Sequence, residues 1–240
     1  MQLSEILRAF LDLLFPPRCA VCRRITNEII CPDCLKSIVW IKPPVCAQCG
    51  RPLETDRNQR CFFCQKESFF FDRARSIGLY EGVLKQAINH LKFKKKKALA
   101  LPLGVILADK LDAAERKSDL ILYPPLHLKK LKKRGFNQME LIAQTVSKVS
   151  GIPFYHGGIT RIIDTRPQFG LSREERWSNI SGAFILEPDL AREAAGKSIL
   201  LLDDILTTGA TLNELSKLLK TAGASRVIAL TLTRGVLGSK

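Results

Sequence analysis

The sequence predicts an α/β fold in which a parallel sheet follows a small cysteine-rich module. All eight cysteines lie before residue 65, so the beginning of the chain differs chemically from the rest. In the remainder, short apolar runs alternate with segments of helical periodicity, which is typical of a parallel sheet covered on both faces. We therefore expect two domains, a helix and cysteine-rich module over residues 1–68 and an α/β domain over residues 69–240.

The composition is that of a globular protein. Of the 240 residues, 46% are hydrophobic and 25% are charged, which argues against intrinsic disorder. No apolar run approaches the roughly 20 residues that cross a bilayer, so we expect no transmembrane segment and a cytoplasmic location. The net charge of +15 favours a polyanionic partner, either a nucleic acid or a phosphate-rich small molecule.

The first 14 residues contain apolar side chains at helical spacing. Arg8 and Asp12 interrupt the apolar run and no basic stretch precedes it, which argues against a secretory signal. We expect an amphipathic helix packed on the body of the protein. A helix lying on a membrane surface is the alternative.

The cysteines form four CxxC pairs, Cys19/Cys22, Cys31/Cys34, Cys46/Cys49 and Cys61/Cys64. A CxxC turn presents two thiolates on one side of the backbone, so two pairs supply the four ligands of tetrahedral zinc. We expect structural zinc, as one or two ions. Adjacent and interleaved pairings both remain open, as do disulfides and a redox or iron–sulfur role. The module would either cap the larger domain or contact a nucleic acid or partner.

Hydrophobic periodicity divides the larger domain into strands and helices. We expect strands at 74–80, 120–123, 198–203 and 227–232, and helices at 82–93, 98–113, 137–149 and 211–222. Pro102 suits the first turn of the second helix, and Gly223 is placed to end the last helix. We expect a basic loop over 125–134 and irregular structure over 153–185.

The segment 199–211 carries the strongest indication of a ligand site. Its apolar start predicts a buried strand, and Asp203 and Asp204 follow at the carboxyl edge, where open α/β sheets bind ligands. Carboxylates at this edge accept hydrogen bonds from the hydroxyls of a ribose, or from the waters around Mg²⁺. The acids therefore predict a sugar or a hydrated magnesium ion at this position.

The next five residues are Thr207, Thr208, Gly209, Ala210 and Thr211. Gly209 lets the backbone fold closely around an anion, and the turn runs into a helix N-terminus, whose free N–H groups favour phosphate. The threonine hydroxyls add further donors. A ligand that carries both a ribose and a 5′-phosphate would satisfy the acids and the turn together.

The order of apolar run, two acids, two apolar residues and TTGxT resembles the diphosphate-sugar motif of the type I phosphoribosyltransferases. Together with the cysteine pairs and the RGFNQ segment at 134–138, it makes nearly the whole chain similar to the ComF family of competence-associated, GntX-like proteins. The resemblance implies a type I phosphoribosyltransferase core with a zinc-ribbon head. It also implies a role in DNA uptake during natural transformation, alongside other DNA-uptake proteins.

The resemblance also implies roles for single residues. Asp203 and Asp204, the catalytic pair, would hold the ribose hydroxyls of 5-phosphoribosyl-1-pyrophosphate, and residues 207–211 would hold its 5′-phosphate. Thr207 departs from several purine salvage enzymes, which carry an aspartate that contacts the base at this position. Because threonine cannot act as a carboxylate acid or base, the departure argues against oxopurine salvage.

Basic side chains would meet the pyrophosphate, with magnesium as the accompanying ion. Lys130, Lys133 and Arg134 occupy the loop that commonly approaches pyrophosphate in related enzymes, and only arginine can fork to two phosphate oxygens. Arg166 and Arg173 lie near the position where related enzymes have a mobile loop that closes over the ligand. The alternatives are a solvated basic loop for the first group and surface or interdomain salt bridges for the second.

Three functions remain open: a phosphoribosyltransferase with an unidentified acceptor, a ligand-sensing protein without turnover, and a single-stranded-DNA-binding protein whose pocket tunes DNA binding. The third rests on a basic tract formed by Lys92, Phe93, Lys94, Lys95, Lys96 and Lys97. The lysines would follow a phosphate backbone while Phe93 stacks on a base. Alternatively, the tract is a solvated helix end whose cations complement the helix dipole.

Overall fold

A four-stranded parallel sheet of order β1-β6-β5-β2 forms the centre of the computed structural model, which describes residues 15–55, 59–166 and 170–235. Its strands are β1 (Arg73–Leu79), β2 (Leu120–Leu122), β5 (Ser198–Leu206) and β6 (Arg226–Arg234). A separate antiparallel pair joins β3 (Ile159–Arg161) to β4 (Phe184–Leu186). The predicted parallel-sheet α/β fold is confirmed, while the helix expected within the first 14 residues lies outside the described residues.

The helices, in chain order, are α1 (Pro32–Lys36), α2 (Phe62–Lys66), α3 (Gly82–Phe93), α4 (Ala100–Asp109), α5 (Ala113–Arg116), α6 (Leu128–Arg134), α7 (Gln138–Ser150), α8 (Arg173–Ile180), α9 (Pro188–Ala194) and α10 (Ala210–Thr221). The helix expected over 98–113 ends at Asp109, because Asp112 caps the separate helix α5 in a capping box with Glu115. No helix within the described ranges has the length and apolar character to span a membrane.

The two faces of the sheet are covered by different helices. Leu200 and Leu202 of β5 join a buried cluster with α3, α4 and α7, whereas Ile199 and Leu201 join a second cluster with α10. This alternation follows from the pleat, which points successive side chains to opposite faces. Gly104 allows α4 to approach α7 closely, since a Cβ at this position would lie 2.5 Å from Thr145 Cβ.

Strand β5 continues beyond its expected end at residue 203. It pairs with β6 as far as Leu206, opposite Arg234, whereas β2 ends at Leu122, opposite Leu201. The strand is longer than expected because β6 continues to pair with it. The last residues of β5 therefore extend past β2 at the carboxyl edge of the sheet.

The cysteine-rich module covers the outer edge of β1. The Ile41 N–H donates to the Ile77 carbonyl at 3.0 Å, the Leu79 N–H donates to Val39 at 3.0 Å, and the Ala74 N–H donates to Gln48 at 2.7 Å. Edge strands expose unpaired backbone groups, and the module pairs them here. It therefore caps the sheet.

Two expectations about local structure were wrong. The basic loop expected over 125–134 contains helix α6, which begins after a cap by the His127 ring and ends at Gly135 with φ 83°. The segment 153–185, expected to be irregular, contains β3, α8 and β4. These elements depend on pairing between distant parts of the chain, which periodicity within a short window does not report.

Candidate functional site

Asp204 lies on the face of β5 that is covered by α3 and α7. The residue is only 6% exposed. Its carboxylate accepts hydrogen bonds from Lys92 Nζ at 2.7 Å and from Gln138 Nε2 at 2.7 Å. The Thr233 hydroxyl of β6 donates to the Asp204 carbonyl at 3.0 Å. Asp204 is thus a buried carboxylate held by a cation and an amide from two different helices.

Asp203 points to the opposite face of the strand and is half-buried. Its Oδ1 accepts a hydrogen bond from the Asp204 N–H at 2.8 Å. Burial, followed by the charge of Asp204, raises the pKa of Asp203 to about 7, although Lys92 and Arg161 act in the opposite direction. Within the part of the chain that the structure describes, no cation lies at ion-pair distance from Asp203. The pKa of Asp203 is therefore raised because the site buries it beside a second carboxylate.

Three further basic side chains extend from the acids toward β3: Arg161 lies near Asp203, Arg134 near Asp204, and Lys130 near both arginines. Lys130 Nζ donates to the Thr165 carbonyl at 3.1 Å, and Arg161 donates to the Thr165 hydroxyl. Arg134 donates to the Gln138 side chain, which in turn holds Asp204. Burial and the neighbouring Arg161 lower the pKa of Lys130. The site therefore concentrates positive charge beside two carboxylates, which suits a ligand with both hydroxyls and anionic groups.

The threonine turn (residues 207–211) connects β5 to α10. Gly209 adopts φ 89°, in the left-handed region that favours glycine, and α10 begins at the next residue. The Ala210 N–H lies 3.4 Å from the Thr208 hydroxyl. A Cβ at Gly209 would lie 3.4 Å from the Phe69 ring and 3.7 Å from Phe71. The turn leads directly into the N-terminus of a 12-residue helix, whose dipole suits an anion.

The structure brings some predicted residues together and leaves others apart. Arg134 is linked to Asp204 through Gln138, and Lys130 lies near Arg134 and Arg161, whereas Lys133 is exposed on α6. The Arg166 backbone forms two hydrogen bonds with the Asn179 side chain. Arg173 pairs with Glu67 of the cysteine-rich module, on the side of the threonine turn away from the acids, and lines a small cavity with Thr208 and Gly209.

The basic tract divides into two parts. Lys92 belongs to the acid site, with its side chain only 15% exposed, so it is not available to a DNA backbone as first interpreted. Lys96 Nζ donates to the Ala20 carbonyl at 3.1 Å. Phe93 is 72% exposed, and the Arg134 guanidinium lies 5.8 Å from its ring centroid. The remaining tract residues, Lys94, Lys95 and Lys97, are exposed.

Exposed lysines of α6 and of the basic tract lie on the two sides of the contact between Arg134 and Phe93. We use the name basic surface for Phe93, Lys94, Lys95, Lys97, Lys129, Lys132 and Lys133, which are all exposed. Its two parts are joined by the Arg134–Phe93 contact and by Lys97, whose Nζ lies 5.1 Å from the Phe136 ring centroid. Positive charge and an exposed aromatic ring therefore border the acid site.

Gln138 and Arg161 were missed as site residues by sequence reasoning. Gln138 ends the RGFNQ segment, so its contact with Asp204 gives that segment a structural role. Arg161 lies in β3, within the stretch that was expected to be irregular. Its approach to Asp203 depends on the β3–β4 pairing, for which the local sequence carries no signal.

The cysteines gather into two groups of four: the first cluster, Cys19, Cys22, Cys31 and Cys34, and the second cluster, Cys46, Cys49, Cys61 and Cys64. The pairing is therefore adjacent. The sulfur–sulfur distances include 3.9 Å for Cys19–Cys34, 3.6 Å for Cys22–Cys31 and 3.7 Å for Cys49–Cys61. Four thiolates around zinc with Zn–S bonds of about 2.3 Å lie about 3.8 Å apart. The spacing of both clusters thus fits one zinc ion each.

Backbone contacts repeat between the clusters. The Cys31 N–H approaches Cys19 Sγ at 3.4 Å, and the Cys61 N–H approaches Cys46 Sγ at 3.3 Å. N–H groups directed at sulfur favour the thiolate form that binds metal. The predicted zinc-binding role fits both clusters.

Comparison with known protein families identifies two domains, which correspond in order to the cysteine-rich module and the α/β domain. Residues 10–65 match the double zinc ribbon domain, and residues 99–236 match the phosphoribosyl transferase domain. The second match includes the acids, the threonine turn and the α6 segment. The type I phosphoribosyltransferase core with an N-terminal zinc-ribbon module is thereby confirmed.

Several known proteins resemble the chain over most of its length. Competence protein F of Haemophilus influenzae is 32% identical over 218 residues, covering 88% of this chain and 93% of the relative. DNA utilization protein YhgH of Salmonella typhimurium is 29% identical, covering 90% and 96%. Competence protein ComFC of Bacillus subtilis is 24% identical, covering 87% and 85%. The similarity therefore extends through both the cysteine-rich module and the α/β domain.

Proposed function

Because the chain belongs to the family of competence protein F and carries a phosphoribosyl transferase domain, we propose that it binds 5-phosphoribosyl-1-pyrophosphate and acts in DNA uptake. The binding site is the carboxyl edge of the sheet, between the acids of β5 and the threonine turn. The proposed cellular role follows the names of the relatives, which are competence and DNA utilization proteins.

One observation carries the ligand proposal: two acids and an anion-binding turn follow one another on a single strand–turn–helix unit. Asp203 and Asp204 lie near the end of β5, and Gly209 opens α10 a few residues later. A ribose 5-phosphate has its ring hydroxyls and its phosphate on opposite ends of one small molecule. The unit therefore offers an acceptor end and a donor end for the same ligand.

Each part of the site has a distinct task in this proposal. Asp203 and Asp204 accept hydrogen bonds from the ribose hydroxyls, and residues 207–211 donate to the 5′-phosphate. Asp204 keeps Lys92 and Gln138, because a carboxylate offers about four lone-pair sites. Lys130 and Arg134 attract the pyrophosphate and would stabilise it as it leaves.

Magnesium fits the acid end of the site. Ionised Asp203 presents oxygen, which is the ligand type that Mg²⁺ prefers, and the ion usually retains several waters. Asp203 is the residue that would hold the hydrated ion. Bound there, magnesium would neutralise charge on the pyrophosphate, while Lys130 and Arg134 orient the group.

We also propose the division of labour between the two parts of the chain. Residues 1–68 form a zinc-stabilised module that caps the sheet, and residues 69–240 carry the ligand site. Both clusters would hold structural zinc, because each has four cysteine ligands and offers no open position for a substrate.

Partial ligands test the proposal. Thermal unfolding is measured with ribose, with ribose 5-phosphate, with pyrophosphate and with the complete sugar diphosphate, each with Mg²⁺. We expect the complete ligand to raise the unfolding temperature most, since it engages the acids, the turn and the basic side chains together. Ribose 5-phosphate should stabilise the protein more than ribose does. If no phosphorylated ligand raises the unfolding temperature, the site proposal is wrong.

A second candidate function is binding of single-stranded DNA at the basic surface. The specific observation is a chain of contacts from the surface to the acids: Phe93 contacts Arg134, Arg134 contacts Gln138, and Gln138 contacts Asp204. Exposed lysines would follow the DNA backbone and Phe93 would stack on a base. In this function the ligand at the acids would alter DNA affinity through Arg134.

Pyrophosphate release separates catalysis from sensing. The wild-type protein is incubated with the sugar diphosphate, Mg²⁺, candidate bases and single-stranded DNA. Release that depends on one acceptor identifies a phosphoribosyltransferase. Binding without release identifies a ligand-sensing or DNA-binding protein that retains the pocket.

A further inference from the structure

The second cysteine cluster lies directly behind the threonine turn. Arg234, the last residue of β6, is 5% exposed, and it donates to both the carbonyl oxygen and the sulfur of Cys49, the latter at 3.5 Å. The next residue, Gly235, donates its N–H to the Leu206 carbonyl at 2.9 Å. The end of β6 is thus bonded on one side to the cluster and on the other to the strand that leads into the turn.

Two aromatic rings form a second connection. Phe69 packs against the second cluster and stacks on Phe71 with ring centroids 4.7 Å apart. Both rings lie beneath Gly209, as the distances of 3.4 Å and 3.7 Å to its Cβ position indicate. The backbone of the turn therefore rests on aromatic rings that also contact the cluster.

A third connection reaches helix α8. Arg173, its first residue, donates from Nε to Glu67 at 2.9 Å, and its guanidinium lies 4.5 Å from the Phe63 ring centroid. Phe63 directly precedes Cys64, and Glu67 follows Cys64 by three residues. A small cavity between these parts is lined by Cys49, Cys64, Arg173, Thr208, Gly209 and Arg234.

The first cluster has different neighbours. His90 Nδ1 of α3 lies 2.8 Å from the Ala20 carbonyl oxygen, so this cluster packs on the other side of the sheet edge. Its charged neighbour, Arg24, pairs with Asp33 at the surface, where both side chains are about two-thirds exposed, at 66% and 64%. Cys22 is exposed, whereas all four cysteines of the second cluster are buried.

We infer that the second cluster is a positioning platform for the anion-binding turn, and that Arg234 is the positioning residue between them. A zinc ion with four thiolates has a net charge of about −2, and buried Arg234 offsets part of this charge. In return, the cluster holds the end of β6 in the position that fixes Leu206 and the turn. Zinc at the second cluster, but not at the first, therefore sets the affinity for phosphate at the turn. This inference rests on the proposed binding of the sugar phosphate there.

The test compares Arg234→Gln with Arg24→Gln in the full chain carrying both zinc ions. Arg24→Gln is the matched control, since it removes an arginine next to the first cluster. We expect Arg234→Gln to weaken ribose 5-phosphate binding about tenfold and to speed release of one zinc equivalent to a chromogenic chelator. Its affinity for pyrophosphate should be unchanged, because that group binds at Lys130 and Arg134. Arg24→Gln should leave all three quantities unchanged.

A second pair of variants covers the case in which Arg234→Gln does not fold. Phe69→Leu removes the ring beneath Gly209 but leaves the cysteines intact, and Phe62→Leu alters an exposed ring of the same module. We expect only Phe69→Leu to weaken ribose 5-phosphate binding. Equal ribose 5-phosphate affinity in Arg234→Gln, Phe69→Leu and the wild type would overturn the inference.

Hydrogen exchange separates failure of the inference from failure of the proposed function. If the wild type binds no ribose 5-phosphate, the proposed function fails. Amide exchange across residues 205–212 then decides the inference. Faster exchange in Arg234→Gln than in Arg24→Gln supports positioning of the turn by the second cluster, whereas equal exchange rules it out.

Discussion

The two ends of the candidate site are built by different physical means. At the acid end, Asp204 is held by Lys92 and Gln138, and Asp203 lies near Arg161. The threonine turn contains no charged residue, and its shape comes from the backbone of Gly209 and from the aromatic rings beneath it. One end of the site is thus electrostatic, and the other is defined by backbone geometry.

This difference indicates which kind of substitution will affect each end. The acid end depends on charge, so it should respond to neutralising substitutions and to pH. The turn depends on shape, so it should respond to an added methyl group that leaves its charge unchanged. A ligand bound across both ends should be sensitive to both kinds of change.

Neutralising both acids should have the largest effect. Each hydrogen bond to a charged group contributes about 1.5–3 kcal/mol, so we expect Asp203→Asn/Asp204→Asn to weaken sugar-diphosphate binding by at least about 100-fold. Titration calorimetry measures the affinity, and metal analysis should find an unchanged zinc content. Asp189→Asn/Glu193→Gln, on the surface of α9, is the charge-matched control. Equal losses in the two double variants would show that the acids have no special role.

Adding a methyl group to the turn should have the next largest effect. Gly209→Ala and Gly223→Ala place alanine at nearly the same left-handed φ, 89° and 90°, at the two ends of α10. The strain in each variant should cost about 1–2 kcal/mol of stability. Only Gly209→Ala should also weaken ribose 5-phosphate binding, by about tenfold if one hydrogen bond to phosphate is lost. Similar affinities in the two variants would place the phosphate elsewhere.

The pH dependence isolates Asp203. Because its pKa is raised to about 7, the ionised form that accepts ribose hydrogen bonds is lost below neutral pH. The ratio of wild-type to Asp203→Asn affinity should therefore fall by up to about tenfold per pH unit below 7. The ligand phosphates titrate in the same way with both proteins, so their effect on affinity cancels in the ratio. A ratio that stays constant from pH 5.5 to 8 would contradict this role.

The raised pKa of Asp203 also makes the stability of the folded protein depend on pH, in a direction that can be stated. A raised acid pKa means that the folded protein binds the Asp203 proton more tightly than the unfolded chain does. The contribution of Asp203 to stability is therefore largest below the unfolded pKa of about 4 and falls as the pH rises to about 7. Thermal unfolding of the ligand-free wild type, compared with Asp203→Asn, should show this decline.

The smallest effect concerns the basic surface beside the acid end. Lys94→Gln/Lys95→Gln should weaken single-stranded DNA binding and reduce its salt slope by about 0.7 for each phosphate contact that is lost. Lys117→Gln/Lys148→Gln removes two exposed lysines at the opposite edge of the sheet and serves as the control. Fluorescence anisotropy across a salt series measures both quantities. If the two double variants show the same salt dependence of DNA affinity, the tract is a solvated helix end that does not contact DNA.

The parts of the site that sequence predicts well are those coded within one short segment. The apolar run of β5, its two acids and the glycine-containing turn are contiguous, so their order alone predicts strand, turn and helix. The CxxC pairs are predicted for the same reason, since each pair is local. Which two pairs bind the same metal ion could be determined only from the folded structure.

The missed contacts join residues that are distant in sequence. Lys92 was interpreted as part of a DNA-binding tract, but its ammonium group pairs with Asp204, 112 residues later in the chain. Arg161 reaches the site through a strand of three residues whose partner follows a long connection. Propensity and periodicity describe neighbours along the chain, so they cannot assign such partners.

The central claim is that the segment from Asp203 to Thr211 binds a sugar diphosphate. Calorimetric titration of the zinc-loaded wild type with 5-phosphoribosyl-1-pyrophosphate and Mg²⁺, beside the Asp203→Asn/Asp204→Asn variant, tests it most directly. We predict saturable binding of one ligand per chain by the wild type and no detectable binding by the variant. Absence of binding by the wild type, or undiminished binding by the variant, would contradict the claim.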